Sequence, residues 1–334
     1  TMQSAISAPQ VGGIVRLTKF ILRGTFLVEA IGAILLLPVF CHDFGRRGIW
    51  MSIFHSVSAF CNAGFDILGT EGHRFVSLSG YGDNIWLNMV IMLLIIIGGI
   101  GFLTWEDFYK NKLNFRRYRM QSKVILITTV LLIILPAILF FANDFGEFLF
   151  KKRLLYSIFQ SVTTRTAGFN TADLPLMTEA GKAVMILLML IGGSPSSTAG
   201  GMKTTTFAVL ILNAFATFRS REDVGVFGRR FDNTVVKNAA TIAILYFFLF
   251  FTGGIAISQI EHVALSDCLF ETASAVGTAG LTLGITTELG LVSHLILVVL
   301  MYLGRVGGLT LIYAAISVKI QSGAKRPLDK ITVG

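Results

Sequence analysis

Thr166-Ala167-Gly168-Phe169-Asn170, led in by Phe159-Gln160-Ser161-Val162-Thr163, is a short Gly-containing segment set between two long apolar stretches. It has two counterparts. Cys61-Asn62-Ala63-Gly64-Phe65 follows Phe54-His55-Ser56-Val57-Ser58, and Thr278-Ala279-Gly280-Leu281-Thr282 follows Phe270-Glu271-Thr272-Ala273-Ser274. The glycines Gly64, Gly168 and Gly280 lie 104 and 112 residues apart, so the repeat has the scale of a structural unit rather than of low complexity. An unusual backbone repeated at membrane depth suggests several copies lining one axis, which is how ion selectivity filters are built.

The flanking stretches fix the solvent. The 334 residues are 54% hydrophobic and only 14% charged, and the mean hydropathy is +0.73. Roughly 20 apolar residues cross a bilayer core, and six runs qualify: 16–40, 85–108, 122–142, 181–219, 234–260 and 290–320. So many long runs exclude a soluble core, and the fold class is an all-α polytopic membrane protein. Each unit reads as helix, half-length helix, Gly loop, helix. The half-length helices fall at about 49–60, 153–164 and 266–276, and the units at 1–115, 116–230 and 231–334. A second signature keeps the same register. Ile97-Gly98-Gly99, Ile191-Gly192-Gly193 and Leu303-Gly304-Arg305 recur in the returning helices, with Gly192 and Gly304 each 24 residues after the loop glycine of their own unit.

The net charge of +9 is not one basic patch, so it does not indicate a nucleic-acid partner. Lys110, Lys112, Arg116, Arg117, Arg119 and Lys123 fill one linker, Arg219, Arg221, Arg229, Arg230 and Lys237 another, and Lys319, Lys325, Arg326 and Lys330 the tail. Cytoplasmic placement of all three satisfies the positive-inside rule and puts the Gly loops on the outer face of the plasma membrane, with Lys151, Lys152 and Arg153 a local exception.

A filter loop needs glycine because aiming successive carbonyls inward requires backbone angles that a Cβ forbids. Irregular backbone at this depth is tolerated where it lines water or packs in protein. Half-helices ending at the loops bring their partially negative C-termini towards a cation. The expected ion ligands are therefore the carbonyls of Asn62, Ala63, Gly64, Thr166, Ala167, Gly168, Thr278, Ala279 and Gly280.

These loops, with the run Gly192-Gly193-Ser194-Pro195-Ser196-Ser197-Thr198-Ala199-Gly200-Gly201-Met202-Lys203-Thr204, resemble the Ktr/Trk/HKT superfamily of potassium transporters, most closely its bacterial Ktr-type membrane subunit. The resemblance covers essentially the whole chain. It implies membrane–pore-loop–membrane units in pseudo-fourfold symmetry around a central ion pore, and potassium (K+) uptake across the bacterial plasma membrane, with sodium (Na+) dependence. It also implies a homodimer in the lipid bilayer above a cytosolic ring of nucleotide-binding regulatory subunits (KtrA-like). Three units of the implied four are legible, so a first unit is expected upstream of Thr1.

The run 192–203 interrupts a returning helix with Gly, Pro and small hydroxyl residues, all poor helix propagators. A packing kink is one reading. The family likeness implies a gate instead, formed by Gly192, Gly193, Ser194, Pro195, Ser196, Ser197, Thr198, Ala199, Gly200 and Gly201 just below the filter. The likeness also implies that Arg305 touches this gate as a barrier in the pore, although an arginine near a span end also snorkels to the interface. Lys203 either links to the gate or marks the cytosolic side. Arg165 and Glu271 are expected to brace the loops by pairing with neighbours, Phe65 and Phe169 to pack behind them, and Glu29 to face the bundle interior.

Catalytic chemistry finds no footing. Cys41, Cys61 and Cys268 are odd in number and scattered, and the five histidines lack ligand spacing. Ser194–Ser197 belong to no nucleophile elbow. The chain is expected not to be an enzyme. The competing reading is a secondary transporter that binds a small solute at the broken helix, although its repeats would be inverted rather than parallel.

Overall fold

The computed structural model describes residues 14–70, 75–221 and 223–307. Among these the fold is helical, apart from a two-residue hairpin that pairs β1 (Gly225–Val226) with β2 (Arg229–Arg230). The first unit comprises α1 (Ile14–Phe44), α2 (Arg47–Phe60), α3 (Ile85–Gly99) and α4 (Phe102–Asn111). The second holds α5 (Met120–Asn143), α6 (Phe150–Thr163), α7 (Glu179–Leu190) and α8 (Thr204–Phe218). The third holds α9 (Asn233–Glu261), α10 (Leu265–Gly277) and α11 (Leu291–Val306).

Among the described residues α1, α5 and α9 are long and apolar enough to cross a membrane singly. The short helices α2, α6 and α10, of 14, 14 and 13 residues, are not. At 1.5 Å per residue they reach only about 20 Å, less than the thickness of a bilayer core. Each buries a face rich in small polar side chains and leaves large apolar ones such as Trp50, Phe150 and Leu265 exposed. Ser157, Gln160, Ser161 and Thr163 of α6 are fully enclosed, and Ser161 donates to the Ile133 carbonyl of α5 at 2.6 Å. Each short helix packs against the first helix of its own unit.

Helix starts follow local chemistry. Asn84 accepts from the Leu87 amide at 3.0 Å, Thr178 from Gly181 at 3.0 Å and Asp232 from Thr234 at 2.9 Å, so the first turns of α3, α7 and α9 are capped. The core is aromatic around the loops: Phe40, Phe60, Phe159, Phe169 and Phe270 are fully buried.

One expected span is corrected, and one expected break takes definite bounds. The run 85–108 is not one helix, because α3 and α4 meet at 96° across Gly99–Gly101. Gly101 takes φ +90°, and the Phe102 amide leaves the helical ladder to donate to the Ser196 carbonyl at 2.7 Å. The run 181–219 breaks fully between Leu190 and Thr204. Of the run expected over 290–320, the part beyond 307 lies outside the described residues, as do Lys319, Lys325, Arg326 and Lys330.

Candidate functional site

The three Gly loops share one local geometry. Two residues before each loop glycine the backbone turns left-handed: Asn62 at φ +50°, Thr166 at +68° and Thr278 at +53°. The glycines follow at +69°, +86° and +82°, and the alanines between them, Ala63, Ala167 and Ala279, are not among the residues of positive φ. Alternation in the sign of φ turns successive carbonyls towards one side. Each alanine amide is tied to the end of its short helix, donating to Ser58, Thr163 and Ser274 carbonyls at 2.9, 3.0 and 2.8 Å. Hydroxyls brace the far ends of the first two loops, with Ser58 donating to the Phe65 carbonyl and Thr163 to that of Phe169.

The loops also meet. A Cβ built on Gly64 would overlap the Ala167 carbonyl, and one on Gly168 would overlap the Ala279 carbonyl and come 3.4 Å from the Gly64 Cα. Gly280 approaches the Gly168 Cα in the same sense, at 3.8 Å. Three segments far apart in sequence thus converge with their carbonyls between them. Asn62, Thr166 and Thr278 add buried polar side-chain atoms that have no protein partner. Such a set of oxygens can replace the hydration shell of a small cation.

The loop joining α7 to α8 lies against this assembly. Its root is closed by a bridge between Ile191 and Met202 and by the Gly193 amide donating to the Gly200 carbonyl. Its tip is tied to the first unit. Ser194 N donates to Gly99 O at 3.0 Å, Thr198 N to Gly98 O at 3.3 Å, and the Thr198 hydroxyl to Phe60 O at 3.0 Å, at the C-terminal end of α2. Towards the third unit, a Cβ on Gly200 would collide with the Thr278 hydroxyl. Two cations hold its carbonyls: Arg305 Nη1 donates to Thr198 O at 2.7 Å, and Lys203 Nζ to Ala199 O at 2.8 Å. Lys203, whose role the sequence leaves open, is bonded to the loop. No sequence pattern announces this, because the bond forms only when the chain doubles back.

The second glycine signature splits. Cβ atoms on Gly98 and Gly304 would strike the carbonyls of Phe60 and Val276, so these glycines let the returning helix touch the end of the short helix in their own units. Gly192 instead abuts Gly200 and Gly201 of its own loop. In the second unit the glycine of this signature thus packs within the loop and not between helices.

Of the expected braces, Glu271 is one: its carboxylate accepts from the Thr282 hydroxyl at 2.7 Å, the Leu283 amide at 2.9 Å and the Thr286 hydroxyl. Arg165 is not. It is 8% exposed, and its Nε has no hydrogen-bond partner. Phe169 packs behind its loop fully buried, near the His55 ring that stacks on Phe40. Phe65 is 70% exposed and is no part of that packing, which corrects its expected role. Glu29 finds a neighbour in the Cys61 thiol, 3.8 Å away. The exceptional cations Lys151–Arg153 are partly neutralised, since Lys152 pairs with Asp83 at 2.9 Å and Arg153 donates to the Phe141 carbonyl.

The comparisons with known proteins agree with this architecture. The TrkH family profile, described as cation transport protein, matches residues 3–324. The potassium/sodium uptake protein NtpJ of Enterococcus hirae is 36% identical over 345 residues, covering 100% of this chain and 75% of that protein. The Ktr system potassium uptake protein B of Bacillus subtilis is 32% identical over 340 residues, with the same coverage of 100% and 75%. In fold, the chain is similar to the crystal structure of the potassium transporter TrkH from Vibrio parahaemolyticus. The TM-score is 0.74 at 18% identity, over 93% of this chain and 67% of that one.

Proposed function

Because this chain belongs to the TrkH family of cation transport proteins, we propose that it takes up potassium ions across the bacterial plasma membrane through a filter made by its three Gly loops. The observation that carries this reading is the convergence of Gly64, Gly168 and Gly280 through one repeated pattern of left-handed residues. Main-chain oxygens of Asn62–Gly64, Thr166–Gly168 and Thr278–Gly280 strip and replace the hydration shell, and the ion moves down its electrochemical gradient. Sodium accompanies or substitutes for potassium, in keeping with the name of the Enterococcus relative, a potassium/sodium uptake protein.

The 191–203 loop acts as the gate. It fills the space beneath the filter, against Thr278 and Phe60, and its carbonyls are held by Arg305 and Lys203. Two positive charges there repel a cation arriving from the filter, and their release opens the path. Four units around the axis, a homodimer, and a cytosolic nucleotide-binding ring complete the assembly we propose. The Bacillus relative is named as part of a Ktr system, which supports a multi-component complex. The basic linkers around Arg116–Arg119 and Arg219–Arg230 face the cytoplasm, as expected for positive charge near span ends.

The deciding experiment is ion flux through the intact protein reconstituted in liposomes, comparing potassium, rubidium and sodium. Rubidium uptake that potassium competes for and that Gly168→Asp abolishes is expected. Absence of cation flux from well-folded protein, or full flux in Gly168→Asp, overturns the reading.

A further inference from the structure

We propose that Arg165 and Thr129 form a buried site for one small monovalent anion of halide size, set behind the second Gly loop. Arg165 closes the turn between α6 and Thr166, its amide donating to the Val162 carbonyl. It enters a small cavity that it shares with Ile95, Ile96, Gly99, Thr129, Ile133 and Gly193. The cavity has room for one water-sized body.

The chemistry of the walls selects the occupant. Arg165 is more than nine-tenths buried, and its Nε–H has no acceptor. Among the described residues no carboxylate forms an ion pair with it, whereas Lys110, Arg119, Lys152, Lys182 and Arg230 all have acidic partners. Thr129 supplies the second observation. Several helical or helix-end threonines, Thr164, Thr217, Thr241, Thr252 and Thr272, bond back to the carbonyl four residues earlier. The buried Thr129 hydroxyl makes no such bond and lines the same cavity.

Two unsatisfied groups able to donate, one of them charged, therefore face one enclosed space. The backbone around it is already engaged: Gly99 O accepts from Ser194 N, Gly193 O from Thr204 N, and Gly193 N donates to Gly200 O. A water there could accept from Arg165 Nε–H and donate to Thr129 Oγ or to a second carbonyl lone pair, but it would leave the guanidinium charge uncompensated. An anion only accepts, and it also cancels the buried charge, whose isolation costs several kcal/mol. An uncompensated positive charge behind the second loop would also repel a cation passing that loop. A resident anion removes that repulsion beside the second loop. The site stands or falls independently of the proposed ion pathway.

The test uses the intact protein crystallised or soaked in potassium bromide, with anomalous scattering read at the cavity. A bromide peak between Arg165 and Thr129, absent in Arg165→Gln and at least threefold weaker in Thr129→Val, is expected. Cavity density without anomalous signal at saturating bromide identifies a water and overturns the proposal. A peak that persists at full height in Thr129→Val also overturns it, and that variant serves if Arg165→Gln does not fold. In solution, exchanging chloride for gluconate at fixed potassium should lower the melting midpoint of the wild type. An unchanged midpoint counts against the site.

Discussion

Arg305 and Lys203, from different units, grip neighbouring carbonyls of one loop, Thr198 O at 2.7 Å and Ala199 O at 2.8 Å. Hydrogen bonds to charged donors contribute about 1.5–3 kcal/mol each. Under the gate reading, losing one should shift the closed–open balance by about ten- to hundredfold. Arg305→Gln and Lys203→Gln are each expected to raise rubidium flux in liposomes. Because both hold the same strip of backbone, the double variant should depart from additivity. Equal or lower flux in either single variant, at matched amounts of protein, would count against a gate.

Deleting Ser194–Gly200 removes the tip that Gly98, Gly99 and Phe60 hold. Flux should rise and potassium-over-sodium preference should persist, since the loop glycines are untouched. A deletion protein that elutes as wild type but conducts less would sink the gate assignment.

Gly64→Ala and Gly168→Ala place a methyl group on the carbonyl of the neighbouring loop, at residues with φ of +69° and +86°. Both should abolish growth of potassium-uptake-deficient cells on low potassium. Gly228→Ala is the matched control. It has φ +73° in the β1–β2 hairpin with nothing within 4 Å, so it should cost only the backbone strain of about 1–2 kcal/mol and leave growth intact. Growth supported by the first two variants would remove the filter assignment.

Gly98→Ala and Gly304→Ala drive a Cβ into the carbonyls of Phe60 and Val276. Overpacking of this kind costs about 1–3 kcal/mol. The expected result is a lower melting midpoint for the purified protein, larger than for Gly80→Ala, where no atom lies within 4 Å.

Glu271→Gln keeps the shape of the side chain but weakens the acceptance of bonds from Thr282, Leu283 and Thr286. The stretch that follows Gly280 then loses its anchor. Sodium flux should rise relative to potassium, measured as a shift in reversal potential under bi-ionic conditions, and an unchanged ratio would make Glu271 a fold-stabilising residue only.

Much of this was legible in the chain because repeats were compared with one another. The three loops and their half-helices are visible as matched residue types at matched spacing, and the break after Leu190 as a run of Gly, Pro and small hydroxyl residues. The 96° bend at Gly99–Gly101 was not. Hydropathy reports how apolar a run is and not where its axis points, and the bond that bends it, Phe102 N to Ser196 O, comes from another unit. Lys203 was illegible for the same reason. Arg165 misled because arginines usually find an acid, and a sequence does not show which ones fail to. Phe65 matched Phe169 in position but not in surroundings, since only Phe169 has the Phe40–His55 stack beside it.

Thr166 and Thr278 are β-branched residues in a backbone region that such residues avoid, a strain of about 1–3 kcal/mol apiece. Neither segment would keep its contour as a free peptide, so the sharpness of the oxygen ring is borrowed from the scaffold behind it. Under the filter reading, discrimination between ions is then a collective property of the helical frame. Warming or loosening that frame should blur the choice of ion well before the protein melts.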